Sequence, residues 1–455
     1  VLHRTIKDSE NVTVQATNSP EEELPKFRLP QGQSSASVAY QLTEDELMLD
    51  GNERQNLATF CGTWYEPEVI KIMSDAVGKN MIDKDEYRHT AELEERCVHM
   101  IANLWNSAQA DSTMGTSTTG SSEAAMLGGL AMKWRWRSAN ESKVAKVPNL
   151  VTGPVQVCWH KFARYFDVEI REVPLRSGRY VSDPEEIVSQ CDQSTIGVVN
   201  TLGTTFTGHY ENIEELHRAL DDLQEKTGID VPIHVDAASG GFVAPFLDPG
   251  VRWDFRLRRV VSINSSGHKY GLAPLGVGWV IWRDESHLPE DLVFRVNYLG
   301  GEMPTFALNF SRPGGQVAAQ YYNFIRLGFE GYQRVMSNLR NCAAFIGDEI
   351  RSIDRFEIVS DGRSGLPLVT WTSRKGEVDL YRLSNQLRSF GWQVPTYTLP
   401  SNLESTVVQR VVVRQGFTLE LARQFVSDLQ QALKYLDANP MAPTANSHRK
   451  GGFSH

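Results

Sequence analysis

Val231-Pro232-Ile233-His234-Val235-Asp236-Ala237-Ala238 is an apolar run that ends in a single aspartate. It reads as a buried strand with a carboxylate at its C-terminal tip, the end at which parallel sheets place their ligands. Outward from it the chain alternates strand-like and helix-like segments. Residues 149–153 read as a strand, and Pro154 to Phe166 as a helix with proline in its first turn. Residues 196–200 read as a further strand and 212–226 as a helix, with strands again at 259–264 and 275–282. Such alternation predicts an α/β domain with a mostly parallel central sheet. Near Asn341 the rhythm changes. Residues 366–371 and 406–413 read as strands, a helix starts near Asp379, and Leu421, Phe425, Leu429 and Leu433 recur at i, i+4 spacing. The expected organisation is an N-terminal arm over 1–55, a large domain over 56–340, and a smaller C-terminal α+β domain over 341–455 that ends in a flexible tail.

Bulk properties narrow the function. A chain of 455 residues can bury large cores, and 41% hydrophobic with 22% charged residues is ordinary for a globular protein. A net charge of −10 argues against nucleic acid as a partner. Cys61, Cys97, Cys158, Cys191 and Cys342 are scattered, odd in number and without a C-x-x-C pair, so neither a disulfide framework nor a zinc cluster is expected. A reducing cytoplasm is the simplest setting for them. No apolar run approaches the roughly 20 residues of a membrane span.

Downstream of the aspartate, Ser262-Ile263-Asn264-Ser265-Ser266-Gly267-His268-Lys269 places a lysine after a strand and a small-residue turn made by Ser265, Ser266 and Gly267. The lysine follows Asp236 by 33 positions. Most lysines after a strand are solvated, and most aspartates at a strand end only start a loop. Together they suit pyridoxal phosphate. The amine condenses with the aldehyde, while the carboxylate pairs with the pyridine nitrogen and keeps it protonated, so that the ring can accept electrons. Gly115-Thr116-Ser117-Thr118-Thr119-Gly120-Ser121-Ser122-Glu123-Ala124-Ala125-Met126 reads as a loop entering a helix that Ser121 or Ser122 would cap. Alone it is an ordinary capped helix; beside the lysine and aspartate it is a natural phosphate cradle, to which His268 adds a donor. Thr204-Thr205-Phe206-Thr207-Gly208 is either a plain polar turn or a source of a hydroxyl near the ring. No metal is expected: His234 and Asp236 are read as facing opposite sides of their strand, and no third ligand is evident.

These residues together resemble the fold-type I pyridoxal phosphate enzymes, and among them the group II amino-acid decarboxylases of the bacterial glutamate decarboxylase type. The resemblance is carried by residues 56–61, 120–124, 159–165, 234–242, 253–256, 266–269 and 309–313, and covers about residues 40–440. It implies a large domain with a mostly parallel sheet plus a small α+β domain. It further implies that Lys269 holds the cofactor, Asp236 meets the pyridine nitrogen, and Ser121, Ser122 and His268 bind the phosphate with Ser311 of the neighbouring subunit. Gln156 matches the position stacked on the ring, where other group II decarboxylases carry histidine, and Thr205 and Ala238 would line the ring. Arg410 matches the arginine at the substrate α-carboxylate. Thr59, Phe60, Asn80 and Asp83 match positions at the distal carboxylate, partly across a dimer interface. Asp83 near an anionic substrate would repel it unless one carboxyl is protonated, consistent with the acid-favoured activity of the family; a solvated loop acid is the plainer reading.

The resemblance implies decarboxylation of L-glutamate to 4-aminobutanoate with uptake of a proton, a reaction suited to acid resistance. Gripping both substrate carboxylates would hold the bond to the α-carboxylate perpendicular to the ring and so favour carbon dioxide loss over transamination. Decarboxylation of an aromatic amino acid, aspartate or cysteine sulfinate, transamination, and silent cofactor binding are the alternatives. In relatives a C-terminal histidine blocks the site at neutral pH, a role that would fall to His455; a frayed tail is the competing reading. A homodimer is implied. In some relatives an N-terminal helical bundle joins dimers into a homohexamer, and the weak periodicity of residues 1–30 leaves that assembly open. The tail lacks a long basic, tryptophan-bearing segment, so calmodulin is not an expected partner.

Overall fold

The computed structural model describes residues 27–140, 147–297 and 303–440, excepting the side chains of Val296 and Met303. The readings for residues 1–26 and for the tail with His455 lie outside them. The chain divides at Gln55/Asn56 into two compact units. Within the first, helix α1 (Ala36–Leu47) is capped by the Ser35 side chain.

The second unit is built on a seven-stranded sheet. Helix α2 (Arg88–Leu104) leads into the edge strand β1 (Gly115–Thr118), and helix α3 (Ser121–Ala139) follows at once. Then come β2 (Asn149–Thr152), helix α4 (Val157–Tyr165), β3 (Glu169–Glu172) and β4 (Thr195–Thr201). Helix α5 (Ile213–Thr227), β5 (Ile233–Asp236), β6 (Val260–Ser266) and β7 (Gly278–Trp282) complete it. The strand order is β1-β7-β6-β5-β4-β2-β3. The pairings from β6 through β3 are parallel, whereas β7 runs antiparallel to both β6 and β1. Every residue of β2, β5, β6 and β7 is buried, as expected of strands covered on both faces. This is the fold-type I arrangement.

A two-stranded ribbon, β8 (Phe294–Val296) with β9 (Met303–Thr305), precedes the long helix α6 (Gly315–Arg351), which breaks at Gly328, where φ is 57°. Helix α6 runs on through residue 340, so no element ends there. A four-stranded antiparallel sheet follows in the order β10-β11-β13-β12, made of β10 (Phe356–Asp361), β11 (Leu368–Ser373), β12 (Thr396–Thr398) and β13 (Val407–Val412). Helix α7 (Leu380–Ser389), capped by Asp379, and helix α8 (Leu419–Ala438) accompany it. On α8 Phe425 and Leu429 are fully buried, each contributing about 1.5–3 kcal/mol of apolar burial.

Three local expectations are corrected. Helix α4 begins at Val157, not Pro154, because the Gln156 side chain accepts a hydrogen bond from the Cys158 amide and caps it there. Neither Ser121 nor Ser122 caps α3: Gly120 occupies that position without a side chain, and residues 115–118 form a strand rather than loop. Ser265 and Ser266 belong to β6, leaving a shorter turn to Lys269. No described helix is long and apolar enough to cross a membrane.

Candidate active site

The C-terminal ends of β4, β5 and β6 open onto a cavity of about 300 Å³, lined among others by Asp236, His268, Lys269, Ser121, Ser122 and Gln156. Asp236 ends β5 and is almost fully buried. Its Oδ2 accepts from Trp159 Nε1 at 2.8 Å, and its Oδ1 accepts from Asn264 Nδ2 and the Ala238 amide, each at 3.1 Å. Three N–H donors fix the carboxylate where a cationic ring nitrogen would meet it. His234 lies two residues earlier, and the two-residue period of a strand turns it to the same side as Asp236, not the opposite side. Asn264 joins the two: its Oδ1 lies 2.7 Å from His234 Nε2 while its Nδ2 donates to Asp236. Ser262 Oγ holds His234 Nδ1 at 2.7 Å, and burial pushes the imidazole down to about 4. His234 is therefore a neutral brace. No group of residues able to hold a metal ion occurs among the described residues.

Lys269 follows β6 on its turn, with Nζ 3.4 Å from Ser239 Oγ and 5.4 Å from the centre of the Phe60 ring. Burial lowers its pKa, the Asp236 charge works against that shift, and the Arg410 charge reinforces it. The lowering favours the neutral amine, the form able to attack a carbonyl. His268 accepts the Val277 and Gly276 amides on Nδ1, at 3.2 and 3.4 Å. Burial and the neighbouring lysine lower it to about 4. Neutral imidazole with Nδ1 so engaged carries its proton on Nε2, leaving one donor to spare.

The first turn of α3 supplies the anion seat. Its leading amides have no carbonyl within the helix, and the positive end of its dipole points the same way. Ser266 and Ser121 bring their hydroxyls within 2.8 Å there. A Cβ on Gly278 would stand 2.4 Å from the Gly120 carbonyl carbon, so only glycine lets β7 lie against this turn. Thr205 and Ala238 line the cavity, and Gln156 stands on its wall.

Arg410 stands on β13 beside the cavity. It donates to the Thr205 carbonyl through Nη1 and to the Ala58 carbonyl through Nη2, the latter at 2.8 Å. Its guanidinium lies 4.6 Å from the Phe60 ring centre and 5.6 Å from that of Tyr397. Its Nε is buried with no acceptor among the described residues, an orphan donor that a carboxylate would satisfy. Thr59 Oγ1 accepts the Cys61 amide at 3.1 Å. Arg414 steadies the same segment through Thr63 Oγ1 at 2.6 Å and the Cys61 carbonyl at 3.1 Å.

Thr59, Phe60 and Arg410 lie beside this cavity without lining it, and neither do Asn80, Asp83 and Ser311 line it within one chain. Asn80 Nδ2 donates to Ser311 Oγ at 3.2 Å and its Oδ1 accepts the Arg312 amide at 3.1 Å, while Asp83 accepts the Glu86 amide at 3.1 Å. Trp159, Asn264, Ser266 and Arg414 were missed by sequence reasoning. The signal available for two of them was position: Asn264 and Ser266 alternate along β6 toward the side that carries the turn of Lys269. Trp159 lies in the 159–165 run that carries the resemblance, which gave it no partner, and Arg414 gave no signal.

The donor set fits pyridoxal phosphate: an aldehyde-seeking amine, a fixed carboxylate, and an anion seat with a glycine-only approach. A family model described as "Pyridoxal-dependent decarboxylase conserved domain" matches residues 31–374. Glutamate decarboxylase of Aliivibrio fischeri is 55% identical over 437 residues, covering 95% of this chain and 94% of its own. Glutamate decarboxylase of Solanum lycopersicum is 49% identical over 444 residues, covering 96% of this chain and 88% of its own. The solved structure of Lactobacillus brevis glutamate decarboxylase superposes with a TM-score of 0.91 at 44% identity, covering 94% of this chain and 99% of that one. The chain belongs to the pyridoxal-dependent decarboxylases and, within them, to the glutamate decarboxylases.

Proposed function

We propose that this chain decarboxylates L-glutamate to 4-aminobutanoate and carbon dioxide with consumption of one proton. The observation that carries the reading is the buried Lys269 amine, its pKa lowered by burial, in a cavity whose floor is the braced Asp236. When bound, pyridoxal phosphate supplies an aldehyde and an electron-accepting ring. Ser121, Ser122, His268 and the first amides of α3 would take its phosphate. Asp236 would meet its ring nitrogen, with Gln156, Ala238 and Thr205 about the ring.

Arg410 would bind a substrate carboxylate through its orphan Nε while its other donors stay on backbone. Thr59 and Phe60, on the segment that Arg410 and Arg414 anchor, would shape the remaining substrate space. Lys269 is placed to return a proton to the substrate Cα, since His268 is neutral and turned to the anion seat. A homodimer would bring Ser311, Asn80 and Asp83 of one subunit to the site of the other; a homohexamer would be a further level of assembly. The division at about residue 340 and a closing role for His455 belong to the same reading. A chain ending at Met441 should then keep activity to higher pH, and an unchanged pH profile would remove the role of His455.

The test is a purified-protein assay for 4-aminobutanoate between roughly pH 4 and 7.5, which spans the carboxylate and imidazole ranges, with and without added cofactor. Faster carbon dioxide release from tyrosine, aspartate or cysteine sulfinate than from glutamate would overturn the substrate. Formation of 2-oxoglutarate in place of 4-aminobutanoate would overturn the reaction.

A further inference from the structure

A second cavity, of about 430 Å³, opens at the opposite end of the strands of the seven-stranded sheet, the edge at which β4, β5 and β6 begin. One wall is the C-terminal half of α3 with Arg135. Another is the entry to β6 with Arg258 and Arg259, and the third is the segment after β7 with Arg283 and His287. Fourteen helical residues separate Ser121 from Arg135, about 21 Å along the axis. This cavity is therefore distinct from the active site.

Its donors are unevenly used. Arg259 is saturated, with Asp221, Asp230, Gln224 and the Val231 carbonyl as partners. Arg283 gives Nε to the Val260 carbonyl and Nη2 to those of Phe255 and Leu257, which leaves Nη1 without an acceptor among the described residues. His287 gives Nδ1–H to Asp284 at 2.7 Å, and burial with the Arg135 charge lowers its pKa, so the neutral ring leaves Nε2 as an acceptor and adds no donor. Arg135 makes no hydrogen bond or ion pair with any described residue, although burial lowers its pKa against the pull of Asp284 and Asp230. Both carboxylates already have partners: Asp230 is paired with Arg259, and Asp284 accepts from Ser286 and faces His287. A part-buried guanidinium without a partner among the described residues keeps its donors available to a ligand in the cavity.

We propose that this cavity is a binding site for a tetrahedral oxyanion of the phosphate class, held by Arg135 and the free Nη1 of Arg283. The two unused donors stand on separate walls. A tetrahedral anion presents oxygens to several walls at once, whereas a single carboxylate offers two oxygens in one plane.

The experiment titrates the holoenzyme, whose cofactor already fills the active-site phosphate seat, with inorganic phosphate at constant ionic strength. Calorimetry and the melting temperature are read together. Saturable binding and a rising melting temperature are expected. R135Q should weaken binding about tenfold or more, the scale of a lost charge-assisted hydrogen bond, while H287N, which removes no donor to the anion, leaves it nearly unchanged. Cofactor absorbance and decarboxylation should stay unchanged in both. Absence of saturable binding to the wild type would overturn the proposal and leave Arg135 as a cation completing the C-terminal field of α3. So would equal binding by R135Q, or acetate binding as tightly as phosphate. Loss of cofactor absorbance during the titration would place the phosphate in the active site and overturn it too.

Discussion

The two edges of the seven-stranded sheet solve one electrostatic problem in opposite ways. Helix α3 spans both, with its first turn at the cofactor cavity and its last at the arginine cavity. At the first edge the helix dipole is already positive, so amides, two serine hydroxyls and a neutral histidine can seat a phosphate, and formal charge is reserved for Lys269 and Asp236. At the second edge the same helix presents carbonyls, and any anion there needs full cations, which the chain supplies as arginines. The direction of one helix thus decides which residue types can do anion work at each end.

The sharpest way to test that contrast is to remove the single amine. K269A should lose the lysine-dependent absorbance of the bound cofactor and roughly a thousandfold or more of activity, yet leave phosphate binding at the distant cavity intact. Next in size is R410K. A compact ammonium cannot keep both backbone carbonyls and still face a carboxylate, so kcat/KM for glutamate should fall about a hundredfold with cofactor absorbance unchanged. W159F keeps the ring and deletes one of three donors to Asp236. It should weaken cofactor binding about tenfold, measured by reconstitution of the cofactor-free protein.

The last prediction concerns pH. His234 and His268 both lie at about 4 in the folded chain, below the ordinary 6.5. A lowered imidazole means that the folded state resists the proton. Its stability contribution is complete above pH 6.5 and is lost as pH falls toward 4, on the order of 3 kcal/mol for each group. Chemical denaturation of the cofactor-free protein at pH 7 and pH 4.5 reads the loss. The cofactor phosphate should return part of the His268 share by favouring its cationic form, and equal loss with and without cofactor would contradict that placement of His268.

Much of the cofactor edge was legible in the chain because its groups are local: an apolar strand with a terminal acid, and a lysine closing a short turn. What escaped was long-range or backbone-driven. Trp159 meets Asp236 from 77 positions away, and nothing in its surroundings marks an indole as a carboxylate partner rather than core. Residues 115–118 read as loop because hydroxyl and glycine residues dominate; pairing with β7 makes them a strand. The Pro154 helix start failed because a capping glutamine two positions later outweighs a proline signal. The arginine cavity stayed hidden because its residues come from five separate stretches between 132 and 287. The small sheet was visible in its hydrophobic strands, while the continuity of α6 through residue 340 was not, since a long amphipathic helix and a change of rhythm look alike over that interval.

Arg410 has a mechanical consequence. It stands on β13 yet is bolted to the loop after β4 and to the backbone at Ala58. Three stretches of chain distant in sequence therefore converge on one guanidinium before any substrate arrives. A site assembled that way acts as a fixed die rather than a hinge: the incoming amino acid is sorted on contact, and little of its affinity is spent on moving protein.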